Sequence, residues 1–192
     1  MNAAKKLAMP YADYLALEES SAIKHEYLRG EAFAMAGGTP EHAALAAAFS
    51  GALQITLRRR RFRVFDSGLK LRVDETDLTT YPDVTVVCAQ LERAPDDPNA
   101  ITNPLVLVEV LSDSSEAYDR GDKFAHYRRL ASLRDYVLVS QQSPRIEVFS
   151  CKGAKWELTE AGPGSSILIP SLEISLSVDE IYRDPLTPPQ PT

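Results

Sequence analysis

Two apolar runs that each carry one acidic residue constrain the fold of this chain most strongly. One run has the sequence PLVLVEVLS over Pro104–Ser112, and the other has the sequence YPDVTVV over Tyr81–Val87. Both are rich in β-branched residues and predict strands, and the first is apolar enough to be a central strand. Glu109 lies inside this strand, where a carboxylate is unfavourable unless something compensates its charge. Asp83 opens the other strand.

If the two strands are neighbours, Asp83 and Glu109 converge on one place and can bind a divalent cation. The long interval between them suits two strands joined by a long loop. Carboxylate oxygens are ligands that suit Mg²⁺ or Mn²⁺. Each acid also has a simpler explanation. Asp83 is typical of a turn after proline, and Glu109 could form a buried ion pair with an arginine.

Other common site types find no support in the sequence. The three histidines have no zinc-ligand spacing, and no GxxxxGK phosphate loop is present. We therefore expect neither a zinc site nor a nucleotide cofactor. Cys88 and Cys151 have no metal or redox spacing, so reduced thiols are expected.

Length and composition predict one domain. The chain has 192 residues, of which 44% are hydrophobic, and this suffices for a single core over residues 1–183. Residues 184–192 hold four of the 13 prolines and predict a disordered tail. No apolar run reaches the length of a membrane span, and the basic N-terminus lacks the apolar segment of a secretion signal. A cytoplasmic protein is expected.

Local patterns predict the order of helices and strands. Helices are predicted at 11–19, from a Thr39 N-cap to the arginine run, at about 121–130, and as a turn at 178–182. Strands are predicted for a hairpin over 26–35, and at 62–65, 69–73, 83–88, 105–111, 136–139, 146–149, 156–158 and 167–169. The polar segments 74–80, 92–103 and 113–120 predict a turn and loops. This order predicts an α/β fold with a mixed sheet.

A run of arginines follows the second predicted helix. It consists of Arg58, Arg59, Arg60, Arg61 and Arg63. Such a cluster can neutralise DNA phosphates, but it equally suits a solvated helix end whose cations complement the helix dipole. The net charge of −6 gives no global attraction to nucleic acid. DNA binding by this run is therefore a local hypothesis.

Several short motifs follow one another between Tyr11 and Tyr182. They are Glu26-Tyr27-Leu28-Arg29-Gly30-Glu31, Met35, Thr39-Pro40-Glu41-His42, Pro82-Asp83, Glu109-Val110-Leu111-Ser112, Asp119, Lys123, Tyr127 and Asp135-Tyr136-Val137-Leu138-Val139. In order and spacing they resemble the Uma-two family of restriction-endonuclease-like proteins, within the PD-(D/E)XK nuclease superfamily. The resemblance implies a restriction-endonuclease-like core, with a mixed central β-sheet flanked by helices and extra antiparallel strands. It also implies a Mg²⁺- or Mn²⁺-dependent hydrolase that cleaves DNA.

The resemblance implies a role for each acid and for one lysine. Asp83 and Glu109 would be catalytic and bind the metal, with the carbonyl of Val110 completing its shell. The superfamily pattern places a lysine two residues after the second acid, where this chain has Leu111. The resemblance then implies a lysine from another element, and Lys123 is the candidate.

Two further residues bear on the choice of lysine. Tyr127 lies four positions after Lys123 and shares its helical face. Lys70 is a second candidate, because it lies on a strand before Asp83, although it also fits an exposed strand residue.

Additional ligands are less well defined. In this superfamily the first helix commonly lends an acid to the metal site, and Glu26, Glu31 or Glu41 would serve, with Glu26 favoured. His42, at the third position of its helix, is a further candidate.

Two functions remain open from the sequence. The first is a metal-dependent endodeoxyribonuclease, which as a homodimer would cut both strands of a duplex. The second is a catalytically weak or inactive binding or scaffold protein of a mobile-element or defence system. The acidic net charge and Leu111 favour the second, and the paired acids favour the first.

Overall fold

The computed structural model describes residues 6–35 and 37–183, so the predicted tail at 184–192 lies outside the described residues. The helices are α1 Tyr11–Ser20, α2 Pro40–Thr56, α3 Glu116–Tyr118, α4 Phe124–Tyr127 and α5 Val178–Ile181. The strands are β1 Lys6–Ala8, β2 His25–Leu28, β3 Glu31–Ala34, β4 Phe62–Asp66, β5 Lys70–Val73, β6 Leu78–Thr80, β7 Val84–Cys88, β8 Arg93–Ala94, β9 Asp97–Ile101, β10 Val106–Leu111, β11 Asp135–Ser140, β12 Ile146–Lys152, β13 Lys155–Ala161, β14 Ser166–Ile169 and β15 Ile174–Ser177.

A six-stranded mixed sheet forms the centre of the molecule. Its strand order is β13-β12-β11-β10-β7-β4, and β10 pairs in parallel with β11 while the other pairs are antiparallel. All six residues of β10 are buried. The mixed sheet and the interior position of the most apolar strand confirm the prediction from sequence.

The register of β7 against β10 brings the two acidic positions together. Val86 pairs with Val106, and Val84 pairs with Val108. Extending this register by one residue places Asp83 opposite Glu109. Residues directly opposite each other on antiparallel strands share one face of the sheet.

Different layers cover the two faces of the central sheet. Helix α2 packs Leu45, Phe49 and Leu53 on one face, which is the pattern expected of a helix with one apolar side. The other face contacts α4 and the second sheet, whose seven strands have the order β1-β3-β2-β6-β5-β9-β8. The flanking helices and the extra antiparallel strands agree with the predicted fold class.

Local signals for the first hairpin and for α2 are confirmed. Arg29 and Gly30 both have positive φ angles, of 49° and 86°, as a two-residue hairpin turn between β2 and β3 requires. The Thr39 side chain accepts a hydrogen bond from the His42 amide at 3.2 Å and caps α2. The helix ends at Thr56, just before the arginine run.

Several segments predicted as loops were assigned wrongly. The segment 74–80 contains β6, the segment 92–103 contains β8 and β9, and α3 lies within 113–120. These strands are polar in sequence yet join the second sheet, because their buried polar side chains find partners there. The helix predicted at 121–130 is interrupted by a π-helical segment at Asp119–Lys123 and ends at Tyr127.

Two further features complete the fold. In the described part of the chain, no helix has the length and apolarity that a bilayer crossing needs. Cys88 and Cys151 are free, half-buried thiols, in agreement with the expectation from sequence.

Candidate active site

Asp83 lies where the chain passes from one sheet to the other. Strand β6 in the second sheet ends at Thr80, and β7 in the central sheet begins at Val84. The Oδ2 atom of Asp83 accepts a hydrogen bond from the Val110 amide at 2.8 Å. This bond crosses from Asp83 to β10 and fixes the carboxylate beside Glu109.

Glu109 is buried inside the central sheet and has two side-chain partners. The Tyr127 hydroxyl donates to its Oε1 atom at 2.7 Å, and the Lys123 Nζ atom lies 3.0 Å from the same oxygen. Both partners come from the segment after β10, where the π-helical turn at Asp119–Lys123 leads into α4. Single π-turns within helices occur often at functional sites.

Lys123 is surrounded by acidic side chains. Its Nζ atom lies 3.2 Å from Asp119 Oδ1 and 3.6 Å from Glu26 Oε1, in addition to its contact with Glu109. Burial lowers the pKa of Lys123, but these carboxylates, with Glu109 foremost, outweigh burial and hold that pKa well above its ordinary value. Lys123 therefore stays protonated at neutral pH.

The protonation of Glu109 responds mainly to burial. Loss of contact with water raises the pKa of Glu109 to about 8, and the charges of Asp119 and Asp83 add to the rise. Lys123 and Tyr127 act in the opposite direction. An additional positive charge beside Glu109 would favour its ionised form.

His42 approaches Asp83 from the N-terminus of α2. Its Nε2 atom lies 3.2 Å from Asp83 Oδ2. This hydrogen bond raises the pKa of His42, against the lowering effect of burial, and the backbone of Val110 also contributes to the rise. A Cβ atom on Gly38 would lie 3.0 Å from His42 Nδ1, so glycine leaves the room in which the ring packs.

A glutamine joins the start of α2 to the end of β10. Gln141 donates to the Leu111 carbonyl at 2.7 Å and accepts from the Thr39 hydroxyl at 3.3 Å. Because Thr39 caps the helix turn that carries His42, Gln141 links that turn to the strand that carries Glu109.

Of the three acids considered from the first part of the chain, the structure places Glu26 in the cluster. The Thr80 hydroxyl donates to Glu26 Oε1, the same atom that faces Lys123. Glu41 is exposed, and hydrogen bonds with its own backbone and with Thr39 lower its pKa. Glu31 lies on β3, paired with Leu28 of the hairpin.

Lys70 is not the exposed strand residue that its sequence position suggested. It is buried, and its Nζ atom lies 2.8 Å from Asp97 Oδ2 on β9. Its partner comes from the segment wrongly predicted to be a loop. The structure therefore brings Lys123, and not Lys70, into contact with Glu109.

The arginine run lies at the far end of β7 from Asp83. Phe62 pairs with Cys88, whereas Asp66 pairs with Val84, so β4 runs from the arginines toward the site. Cys88 lies five positions after Asp83, which corresponds to about 16 Å of extended strand. All five arginines are exposed, and Arg60, Arg61 and Arg63 line a shallow depression of about 470 Å³.

Most arginines of the run form no ion pair with another described residue, so they are available to a ligand. Among the described residues, Arg60 is the one member of the run with an ion pair, at 3.8 Å from Glu173.

The donor set suits a hard divalent cation. Among the described residues, no three His, Cys, Asp or Glu side chains are grouped closely enough to hold a metal by themselves. Mg²⁺, however, commonly binds through one or two carboxylates and keeps several waters. The contacts of Asp83 use Oδ2 and those of Glu109 use Oε1, which leaves one oxygen of each acid. With the Val110 carbonyl, these oxygens fit such an ion.

Sequence reasoning assigned no role to several residues around this site. They are Glu18, Thr80, Tyr81, Tyr118, Asp119 and Gln141. Asp119 had two available signals: its place among the motifs that resemble the family, and its four-residue spacing from Lys123, which places both on one helical face. The other contacts join distant parts of the chain and have no local pattern.

Comparison with known proteins identifies the family. The profile of Uma2, described as putative restriction endonuclease, matches residues 11–179. The chain belongs to the Uma2 family. This confirms the resemblance found from the sequence motifs.

Two similar proteins from Synechocystis sp. are described as uncharacterized proteins. The protein slr1290 is 36% identical over 172 residues, which cover 89% of this chain and 90% of the relative. The protein sll1609 is 33% identical over 150 residues, which cover 78% of this chain and 85% of the relative.

A solved structure shares the fold. The crystal structure of a putative nuclease belonging to DUF820 from Anabaena variabilis matches with a TM-score of 0.69 at 17% identity. The match covers 85% of this chain and 92% of that chain. This Uma2 protein therefore has the same architecture as that protein.

Proposed function

We propose that this Uma2 protein is a Mg²⁺- or Mn²⁺-dependent endonuclease that hydrolyses phosphodiester bonds in DNA. One observation carries the proposal: the register of β7 and β10 sets Asp83 opposite Glu109, and Lys123 Nζ lies 3.0 Å from that glutamate. Membership of a family described as putative restriction endonuclease supports the same activity.

The metal would be held by Asp83, Glu109 and the carbonyl of Val110. When bound, such an ion supplies Lewis acidity and lowers the pKa of a bound water. The chain contributes the fixed geometry. The Val110 amide holds Asp83, and Tyr127 holds Glu109.

Charge balance around the site supports a cation there. Three carboxylates, those of Glu26, Glu109 and Asp119, lie within 3.6 Å of Lys123 Nζ, and a fourth, that of Asp83, contacts His42. Buried carboxylates without compensating charge are unfavourable. A divalent cation between Asp83 and Glu109 offsets the excess negative charge.

Lys123 has the position to stabilise charge that develops on a phosphate. Leu111 occupies the position of the superfamily lysine and can neither donate a hydrogen bond nor carry charge. Lys123 instead reaches Glu109 from the helical segment after β10. A fixed cation at this point stabilises the transition state more than the ground state, because negative charge increases there.

The arginine run would contact DNA away from the cleaved bond. Its separation of about 16 Å from Asp83 along β7 suits phosphates further along the backbone. The proposal includes a homodimer, since two sites related by a twofold axis can cut both strands of a duplex. It also places the protein in the cytoplasm.

A plasmid cleavage assay with a metal-binding assay tests the proposal. We expect nicking or linearisation of plasmid DNA in Mg²⁺ or Mn²⁺, with loss of activity in EDTA. Binding of DNA and of Mn²⁺ without cleavage would favour the scaffold function. The presence of Leu111 at the superfamily's lysine position also favours that function. Absence of Mn²⁺ binding by calorimetry would contradict the metal site itself.

A further inference from the structure

Glu18 forms a buried bridge outside the proposed metal site. It lies in the last turns of α1, and its side chain is 8% exposed. Its Oε1 atom accepts hydrogen bonds from the His25 amide at 3.0 Å and from His25 Nδ1 at 2.8 Å. Its Oε2 atom accepts from the Tyr81 hydroxyl. One carboxylate thus joins both β2 and the segment that follows β6 to α1.

Both partners of Glu18 are close in sequence to acids of the site. His25 precedes Glu26 on β2, and Tyr81 lies two residues before Asp83. The pairing of Tyr27 with Thr79, extended along the two strands, places His25 opposite Tyr81. The bridge therefore closes the end of the β2–β6 ladder, at the point where the chain leaves for the central sheet.

The segment that crosses between the sheets is held at its end by contacts of Asp83 with the Val110 amide and His42, and at its start by Tyr81. Pro82 has no amide hydrogen and cannot donate to either sheet. The ring of Tyr81 is buried, and Lys24 Nζ lies 5.1 Å from the centre of that ring. The Tyr81 hydroxyl is thus the polar contact that ties the start of this crossing to α1.

We propose that Glu18 is a positioning residue for the metal site. Through Tyr81 it holds Asp83 in position, and through His25 it holds Glu26 in position. The inference rests on the proposed function, because it concerns the acids of that site. Carboxylates around a metal depend on their surroundings for orientation, and loss of such support commonly weakens metal binding by about 10–100-fold.

The test compares Tyr81→Phe and Glu18→Gln with Glu19→Gln as the matched control. Tyr81→Phe removes one hydroxyl and keeps the packed ring, so the fold is retained even if Glu18→Gln is too unstable to purify. Glu19 is the next residue on α1 and is exposed. Mn²⁺ affinity is measured by calorimetry well below the melting temperature. Amide hydrogen exchange over residues 79–85 is measured in the metal-free proteins.

We expect Tyr81→Phe to weaken Mn²⁺ affinity on the order of tenfold and to speed exchange over 79–85. Glu19→Gln should change neither quantity. The double variant of Glu18 and Tyr81 should bind Mn²⁺ about as weakly as the weaker single variant, because both remove one bridge. A purely structural role would lower the melting temperature and leave affinity unchanged.

Two results separate this inference from the proposed function. If the wild type binds Mn²⁺ and Tyr81→Phe binds it within twofold, the positioning role is wrong while the metal site stands. If the wild type binds no Mn²⁺, the proposed function is wrong. Amide hydrogen exchange in the metal-free proteins then shows whether the contact between Glu18 and Tyr81 orders residues 79–85. Unchanged exchange over 79–85 in Tyr81→Phe would overturn the inference in either case.

Discussion

Replacement of Lys123 by methionine separates metal binding from cleavage. The substitution keeps the length and apolar stem of the side chain but removes its ammonium group. That group lies 3.0 Å from Glu109, 3.2 Å from Asp119 and 3.6 Å from Glu26. We expect Lys123→Met to bind Mn²⁺ and to lose cleavage.

The distances give the size of the effect. When Glu109 is ionised, its attraction to Lys123 at 3.0 Å is about 5.5 kcal/mol at an effective dielectric constant of about 20, before desolvation is counted. Breaking one partner of a buried ion pair costs about 3–5 kcal/mol of stability. A single electrostatic contact in a transition state is worth about 10²–10³ in rate. We therefore expect a loss of cleavage rate in that range and a lower melting temperature that Mn²⁺ partly restores.

The assay measures initial rates of plasmid cleavage in Mg²⁺ and Mn²⁺, and calorimetry measures Mn²⁺ affinity on the same preparations. Lys152→Met is the matched control, because Lys152 is an exposed lysine at the end of β12. Leu111 shares its sheet face with Glu109, so Leu111→Lys combined with Lys123→Met should recover part of the activity. Wild-type cleavage by Lys123→Met would refute the role of this lysine.

Three further predictions follow from the site and its surroundings. Asp83→Asn and Glu109→Gln should each abolish Mn²⁺ binding, measured by calorimetry, and leave the circular dichroism spectrum unchanged. Mn²⁺ binding by either variant would contradict the proposed metal site. Replacing Arg59, Arg60 and Arg61 with glutamine should weaken DNA binding and flatten its salt dependence, because fewer counterions are released. If the slope of DNA affinity against salt concentration is unchanged, these arginines are only a solvated helix end and do not contact DNA. Burial raises the pKa of Glu109 from 4.5 to about 8, so its contribution to the stability of the metal-free protein is present below pH 4.5 and is lost as pH rises through about 8. Melting temperatures at pH 5 and pH 9 should therefore differ more in wild type than in Glu109→Gln, and equal differences would contradict the pKa shift.

Local patterns in the sequence determined much of the fold. The apolar β-branched run around Glu109 specified a buried strand, and the Thr39-Pro40 start specified α2. The two-residue turn at Arg29-Gly30 specified the first hairpin. In each case the physical cause acts between residues close in the chain, through side-chain periodicity, helix capping or a permitted positive φ angle.

Polar strands could not be recognised in this way. Asp97 is buried in β9 because Lys70 reaches it from β5, and Arg72 is buried because its guanidinium meets Asp77 and Thr79. A polar residue is stable inside a fold when a partner from elsewhere satisfies it. The sequence of the segment alone carries no sign of that partner.

The same distinction between local patterns and long-range contacts applies to the candidate site. The sequence suggested Asp83, Glu109 and Lys123 as chemical groups, from residue type, strand context and family resemblance. Only the tertiary structure decided that Asp83 lies opposite Glu109, that Lys123 and not Lys70 meets that glutamate, and that the arginines lie at the other end of β7. These are matters of strand register and of chain crossing between two sheets, which long-range packing sets and no local spacing encodes.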